Sequence, residues 1–362
     1  MIAIDGARSA THKSDAASSR LPLLDGLRGI AAILVMLHHE PTYFGYEGLF
    51  PRAYLAVDFF FMLSGFVLTL SYEERLRTSS ASGFLIFRIC RLWPLLAVGI
   101  VMGAVQQFIW EPNHTSMVLA ITAFSLLFLP VFAGNCGLYQ LNGPQWSVTF
   151  ELIANFVHAK FLSRLSDAQL LGFVGGSAVM LVLVGQKFGN LAIGDTVGNW
   201  WGGFFRVGFG YGLGVFFARR FGRSQPGTPL LWFWGLAIVP MILILLPVVP
   251  LPRAAGDCLA VLVLLPMAFW LAIRAQVGER FAGPLLLLGS ISYPLYAIHV
   301  PVLAASRALA HGQPAETQLA IRAGSIAVIF VLSWALARSS LSKGIRLGRL
   351  PWLFQSRMQR VS

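Results

Sequence analysis

Arg28 and His39 stand in the same apolar run, LDGLRGIAAILVMLHHE, and their side chains have chemistry that an apolar run does not need. A guanidinium presents a planar fork of donors suited to anions, and an imidazole can take or give a proton near neutral pH. Eleven residues separate them, and eleven helical steps of about 100° return to within roughly 20° of the starting direction, so the two share a helix face. Their separation along the axis is about 16 Å at about 1.5 Å per residue. They cannot touch, but they can reach two ends of one elongated ligand. His38 points about 100° away and is less well placed. Each has a plainer reading too: Arg28 as a side chain snorkelling to headgroups, His39 as an interfacial histidine.

Arg88 and Arg91, in FRICRLWP, lie three apart on neighbouring positions of a helix start. Their forks suit phosphate oxygens and a phosphate-bearing cytosolic donor, although a basic cytoplasmic loop explains the charge equally well. Sorted by depth, Asp58, Glu151, His299 and His39 fall in the outer half of the spans, and Arg28, Arg88 and Arg91 near the inner face. That arrangement suits a tunnel holding polyanionic groups at its cytoplasmic mouth and doing proton chemistry deeper in. Glu151 and His158 share a face, but His158 comes close to the inner surface. Arg206 and Asp257 read as interfacial. Tyr293, Tyr296 and His299 bring two phenols and an imidazole to one helix, with Tyr296 and His299 three apart on one side. Cys90, Cys136 and Cys258 have no CxxC spacing, which argues against a disulfide framework, an iron–sulfur site or a cysteine-rich zinc site. No metal is expected.

The elements that must position these residues are membrane spans. Only 12% of the 362 residues are charged and 56% are hydrophobic, a balance foreign to a water-soluble core. Apolar runs of spanning length fall near 21–39, 54–71, 92–110, 116–132, 146–162, 168–187, 201–219, 230–250, 257–273, 285–305 and 319–339. Eleven crossings from an inside amino terminus would leave Lys160, Arg164, Arg219, Arg220 and Arg223 outside, against the usual cation bias. Taking 116–132 as a re-entrant or interfacial segment restores the bias. The expectation is an all-α polytopic integral membrane protein of about ten transmembrane helices, with both termini cytoplasmic. Residues 1–20 would form an N-terminal tail, 21–339 the transmembrane domain and 340–362 a C-terminal tail. The net charge of +12 is then mostly topology, and no nucleic-acid-binding motif accompanies it.

With these residues the chain resembles the membrane-bound acyltransferase-3 family. The resemblance rests on Leu24-Asp25-Gly26-Leu27-Arg28-Gly29 followed by His39, on Val57-Asp58-Phe59-Phe60-Phe61 leading to Ser64-Gly65-Phe66, on Arg88 and Arg91, and on Trp146-Ser147-Val148 leading to Glu151. A fifth stretch, Ile291-Ser292-Tyr293-Pro294-Leu295-Tyr296 to His299-Val300-Pro301, also resembles the family's. The chain departs from it at Phe150, where the family more often has a second acid beside the one at Glu151. The resemblance implies a bacterial inner-membrane O-acyltransferase. It would move an acyl group, acetyl first among candidates, from cytosolic acyl-CoA to a hydroxyl of a saccharide or lipid-linked surface-glycan precursor. A macrolide or other small molecule is the alternative acceptor.

The implied co-substrate is acyl-CoA, with no bound cofactor. His39 is implied as the essential histidine and Arg28, Arg88 and Arg91 as donor-side arginines. His39 is expected to act as general base, or to carry the acyl group itself in a relay across the membrane, with Asp58 or Glu151 orienting the imidazole. Trp146, Ser147, Tyr296 and His299 stand on the acceptor side or behind the reacting groups. The rival class is a proton-coupled transporter, for which the same acids and histidines would form a relay.

Overall fold

A computed structural model of the chain describes residues 21–45, 48, 50–134, 136–222 and 231–345. Both tails of the expected domain organisation, apart from residues 340–345 of the second, lie outside the described residues, as does Arg223. The helices are α1 (Pro22–Phe44), α2 (Ala56–Leu76), α3 (Ala81–Trp110), α4 (Thr115–Leu126), α5 (Gln145–Lys160), α6 (Asp167–Phe188), α7 (Gly202–Phe221), α8 (Leu231–Leu245), α9 (Arg253–Arg274), α10 (Glu279–Ala310) and α11 (Ala315–Arg338). α9 contains a π-helical turn, Ala260–Leu264. Between the loops before α5 and α7, a single antiparallel bridge joins Gly137 to Thr196.

Six of these helical segments are long and apolar enough to cross a membrane: Ala53–Leu76, Ala81–Trp110, Asp167–Phe188, Arg253–Arg274, Glu279–Ala310 and Ala315–Arg338. The chain is an all-α multi-pass membrane protein with six such helices among the described residues, which corrects the expectation of about ten. Two physical causes account for the difference. α4 and α5 have 12 and 16 residues, or about 18 and 24 Å at about 1.5 Å per residue, short of a hydrocarbon core of about 30 Å, and α8 is described only from Leu231. α1 and α7 are long enough, but α1 carries Asp25, Arg28, His38, His39 and Glu40, and α7 carries Arg206, Arg219, Arg220 and many glycines. An apolar run records the bulky residues between such groups, whereas over a full spanning length the charged residues, histidines and glycines lower the mean hydropathy.

α10 is the hub, packed against α1, α3 and α11, while α2 packs along α7. Without water to drive helices together in lipid, close approach depends on small residues. A Cβ at Gly65 of α2 would overlap the carbonyl of Tyr211 on α7, and one at Gly214 would overlap that of Met62 in return. Gly99 of α3 meets the Ala297 carbonyl of α10 in the same way.

Prolines add a second device. Pro301 has no N–H, so the Ala297 carbonyl one turn back loses its helical donor. Asn142 Nδ2 donates to it at 2.8 Å instead. Pro94 likewise frees the carbonyl of Cys90, which accepts from the Ile345 N–H at 2.8 Å. The first of these bonds ties the segment before α5 to α10, and the second ties the chain after α11 to α3. Both attachments border the site.

The end of α4 is held as firmly. Phe128 takes φ 59°, a left-handed conformation usually left to glycine. Side chains grip the carbonyls around it: Gln145 Nε2 donates to Ser125 O at 2.6 Å, Trp93 Nε1 to Leu126 O at 2.9 Å and the Tyr139 hydroxyl to Phe128 O at 2.9 Å. Gln145 opens α5, so this clasp sets where Trp146, Ser147 and Glu151 begin their helix.

Candidate functional site

A cavity of about 380 Å³ opens between α1, α2, α3, α5 and α10, and its wall includes Arg28, Arg88, Arg91, Ser147, Glu151 and Tyr296. That size falls within the range of small-molecule sites. Six of the ten residues given a catalytic, donor-side or acceptor-side role in the sequence therefore share one space, and Tyr293 lines it too.

Arg28 reaches α10. Its Nε donates to Ser292 Oγ at 2.9 Å and its terminal nitrogen to Gly289 O at 2.7 Å, with Asp25 Oδ1 at 3.3 Å. Arg88 of α3 donates to Glu151 Oε1 at 2.9 Å, and Ser64 donates to the same oxygen at 2.7 Å. The Nε of Arg88 is buried without a hydrogen-bond partner. Arg91, exposed on the cavity rim, donates to the carbonyl of Ser342 beyond α11. Three guanidiniums from two helices thus line one wall, and the cavity's carboxylate already engages one of them. Ser64 lies in the Ser64-Gly65-Phe66 motif and Ser292 in the Ser292-Tyr293 motif; neither had a role assigned, and the residue types alone do not reveal their partners.

At the other end, the Tyr296 hydroxyl meets Ser147 Oγ at 2.6 Å, and its ring lies edge-on to Phe60 at 5.6 Å and beside His299 at 5.8 Å. His39 is next, its ring centroid 5.1 Å from that of His299. Nδ1 of His39 lies 2.9 Å from Val35 O and 3.3 Å from Nε2 of His299. Tyr296, which lines the arginine cavity, is thus also the ring beside His299. Arg28 and His39 hold the two ends of α1's inward face, with the cavity against one end and the histidine pair at the other.

Asp58 lies elsewhere. Arg206 clasps it from α7, Nε to Oδ1 at 3.1 Å and Nη2 to Oδ2 at 2.7 Å, and also donates to Ile193 O and Tyr54 O, both at 3.0 Å. Trp146 covers this guanidinium with its ring, 5.2 Å away. The imidazole of His39 has His299 beside it, and the carboxylates of Asp58 and Glu151 bond to arginines instead.

Arg206 is 1% exposed and Asp257 is fully buried, so both are enclosed by protein. Asp257 accepts from the Tyr54 hydroxyl at 2.5 Å and the Leu191 N–H at 2.9 Å. His158 is also fully buried, with Nδ1 3.0 Å from the Tyr211 hydroxyl. A span reading places such residues by depth alone, and their partners come from helices far away in the chain.

A family model described as an acyltransferase domain, acyltransferase-3, matches residues 21–338. "Protein 2 in picA locus" of Rhizobium radiobacter is 32% identical over 196 residues, covering 48% of this chain and all of that protein. BcsY of Komagataeibacter xylinus, named as a proposed membrane-bound transacylase, is 24% identical over 340 residues, covering 86% of this chain and 79% of its own. No solved structure matches the chain significantly.

Proposed function

The chain belongs to the acyltransferase-3 family, and from that premise we propose that it transfers an acetyl group from cytosolic acetyl-CoA to a hydroxyl of a saccharide or lipid-linked glycan precursor at a bacterial inner membrane. The observation that carries this reading is the cavity on which Arg28, Arg88 and Arg91 converge, with Tyr296 on its wall backed by the imidazole pair. Coenzyme A has phosphates at one end and a thioester at the other, and it is long enough to use both ends of such a path. Arg91 and Arg88 take the phosphates, and Arg28 receives the chain further in. The arginine end then faces the cytosol, the side that supplies the donor, and both termini lie on that side.

His39 acts as general base. A proton leaves the acceptor hydroxyl for the imidazole as the oxygen attacks the thioester carbonyl. The carbon–sulfur bond then breaks, and the sulfur takes that proton. General base catalysis of this kind contributes roughly 100- to 10,000-fold. Glu151 supports the donor side by holding Arg88, and Asp58 supports the site through Arg206 beneath Trp146. An acetyl group asks least of the room beyond Tyr296, where Phe60 closes in.

Purified protein in lipid vesicles, given acetyl-CoA and lipid extracts bearing glycan precursors, should release free CoA thiol in proportion to acetylated product. His39→Ala should release none above background while remaining folded. Full turnover by that variant would overturn the base role. Movement of solute with no thiol release would place the protein with transporters. Mass spectrometry of surface glycans from a deletion strain and from one carrying His39→Ala would show the same missing mass increment, naming the acceptor.

A further inference from the structure

The two imidazoles that meet between α1 and α10 have their proton positions decided by what they face. Nδ1 of His299 lies 3.1 Å from Leu295 O and 3.0 Å from Tyr296 O. A carbonyl oxygen only accepts, so this nitrogen carries the hydrogen, and in the neutral ring Nε2 is a lone pair. That lone pair points at Nδ1 of His39, 3.3 Å away. Nδ1 of His39 also faces a carbonyl, Val35 O at 2.9 Å, so it too carries a hydrogen. Its N–H is therefore shared between a backbone oxygen and the lone pair of His299, and Nε2 is left as the basic nitrogen of His39. Val35 lies four residues back in the same helix, and its oxygen already accepts the helical N–H of His39. The sharper acceptor for the ring is His299, which is fully buried.

We propose that His299 is the positioning residue of the transfer: its Nε2 holds His39 in the tautomer whose Nε2 is basic and accepts the ring N–H more strongly as His39 becomes an imidazolium. This rests on the reading of His39 as the base and adds to it how that base is kept in register. The proton balance closes without His299 changing state. The acceptor O–H bond breaks and its proton goes to Nε2 of His39. The new O–C bond forms, the C–S bond breaks, and the same proton passes from Nε2 to the departing sulfur. His299 keeps its hydrogen on Nδ1 throughout, held by the carbonyls of Leu295 and Tyr296. A hydrogen bond to a group that gains charge in the transition state is stronger there than in the resting enzyme, so its loss falls on turnover rather than on donor binding.

The experiment compares His299→Leu, His299→Gln and His39→Ala in the thiol-release assay, with acetyl-CoA varied and folding checked by gel filtration in detergent. Leu fills similar space and accepts no hydrogen bond. It should lower kcat roughly 10- to 100-fold, the worth of one charge-assisted hydrogen bond, with the KM for acetyl-CoA within about 3-fold. Gln offers an oxygen acceptor at similar reach and should restore most of that loss. If His299→Leu keeps kcat within about 3-fold of the native enzyme while His39→Ala abolishes turnover, the positioning role is overturned and the acyltransferase reading stands. Equal losses in the Leu and Gln variants would also overturn it. If His39→Ala retains turnover, the base reading fails first and this proposal with it. Should the Leu variant not accumulate folded, Gln against the shorter Asn carries the test, with Gln active and Asn impaired expected and equal activities overturning the idea.

Discussion

Arg206 and Arg88 are both guanidiniums inside a helical bundle, and both are paired with a carboxylate, yet their donors are spent differently. Arg206 has both oxygens of Asp58, the carbonyls of Ile193 and Tyr54, and the ring of Trp146 around it. Arg88 has one oxygen of Glu151, an unpartnered Nε, and a cavity in front of it. The first has its hydrogen-bonding capacity used within the fold and so organises the fold. The second keeps capacity in hand beside a space large enough for a ligand. Intramembrane charge marks function only where the protein leaves some of it unspent.

The largest effect should come from unbalancing the saturated site. Asp58→Leu strands a fully buried guanidinium, which typically costs about 3–5 kcal/mol. The variant should therefore lose most of its folded yield and melt far below the native protein in detergent. Replacing the whole pair, as in Asp58→Leu with Arg206→Met, should recover much of that loss, because an apolar pair of similar volume removes the stranded charge. Native thermal stability with lost turnover in Asp58→Leu would break the contrast and return Asp58 to the chemistry.

The open site should respond in the opposite manner. Arg88→Ala removes a group with unspent donors, so melting should shift little while the KM for acetyl-CoA rises roughly 10- to 100-fold, the scale of one or two charge-assisted hydrogen bonds. Arg88→Lys should recover only part of the affinity, since an ammonium lacks the planar fork that can meet Glu151 and a phosphate together. A smaller effect is expected of Glu151→Gln. The amide oxygen can still accept from Ser64 and Arg88, so the arginine stays in place with a weaker clasp, and donor KM should move by about 3-fold with kcat unchanged. A fall in kcat of more than about 100-fold, measured in the same titration, would mean that the carboxylate itself takes part in the reaction.

These two regions also mark what a reader of the sequence can and cannot find. The register of Arg28 with His39 follows from helical geometry, and the cavity gathers Arg28, Arg88, Arg91, Ser147, Glu151 and Tyr296, with Glu151 among the arginines and not at the depth of the histidines where its span puts it. Helical geometry does not choose partners across the bundle. Asp58 and Arg206 are 148 residues apart, His39 and His299 are 260 apart, and nothing in either local sequence says which acid meets which base. Hence Asp58 and Glu151, either of which could orient an imidazole by sequence, both meet arginines instead. The count of spans failed for another reason: an apolar run does not show how long its helix is, as in α4 and α5, or weigh the charges and glycines within a full spanning length, as in α1 and α7.

Arg91 offers the finest division of the comparison, because it lies on the same cavity as Arg88 and yet is exposed. Its guanidinium reaches the carbonyl of Ser342, beyond the last long helix, and is the more exposed of the two. A charge in that position attracts phosphate over distance but holds it weakly, and salt shortens its reach to about 8 Å at physiological ionic strength and about 3 Å at 1 M. Arg91→Ala should therefore raise donor KM by only about 3-fold at low salt, and the difference from the native enzyme should vanish near 0.5 M salt. The more buried Arg88 should keep most of its effect over the same range, because shielded charges are screened far less. Measuring KM for acetyl-CoA against ionic strength in both variants separates a steering arginine from a binding one. Parallel salt dependence in the two would mean that burial does not distinguish them, and the open site would then behave as a single exposed patch.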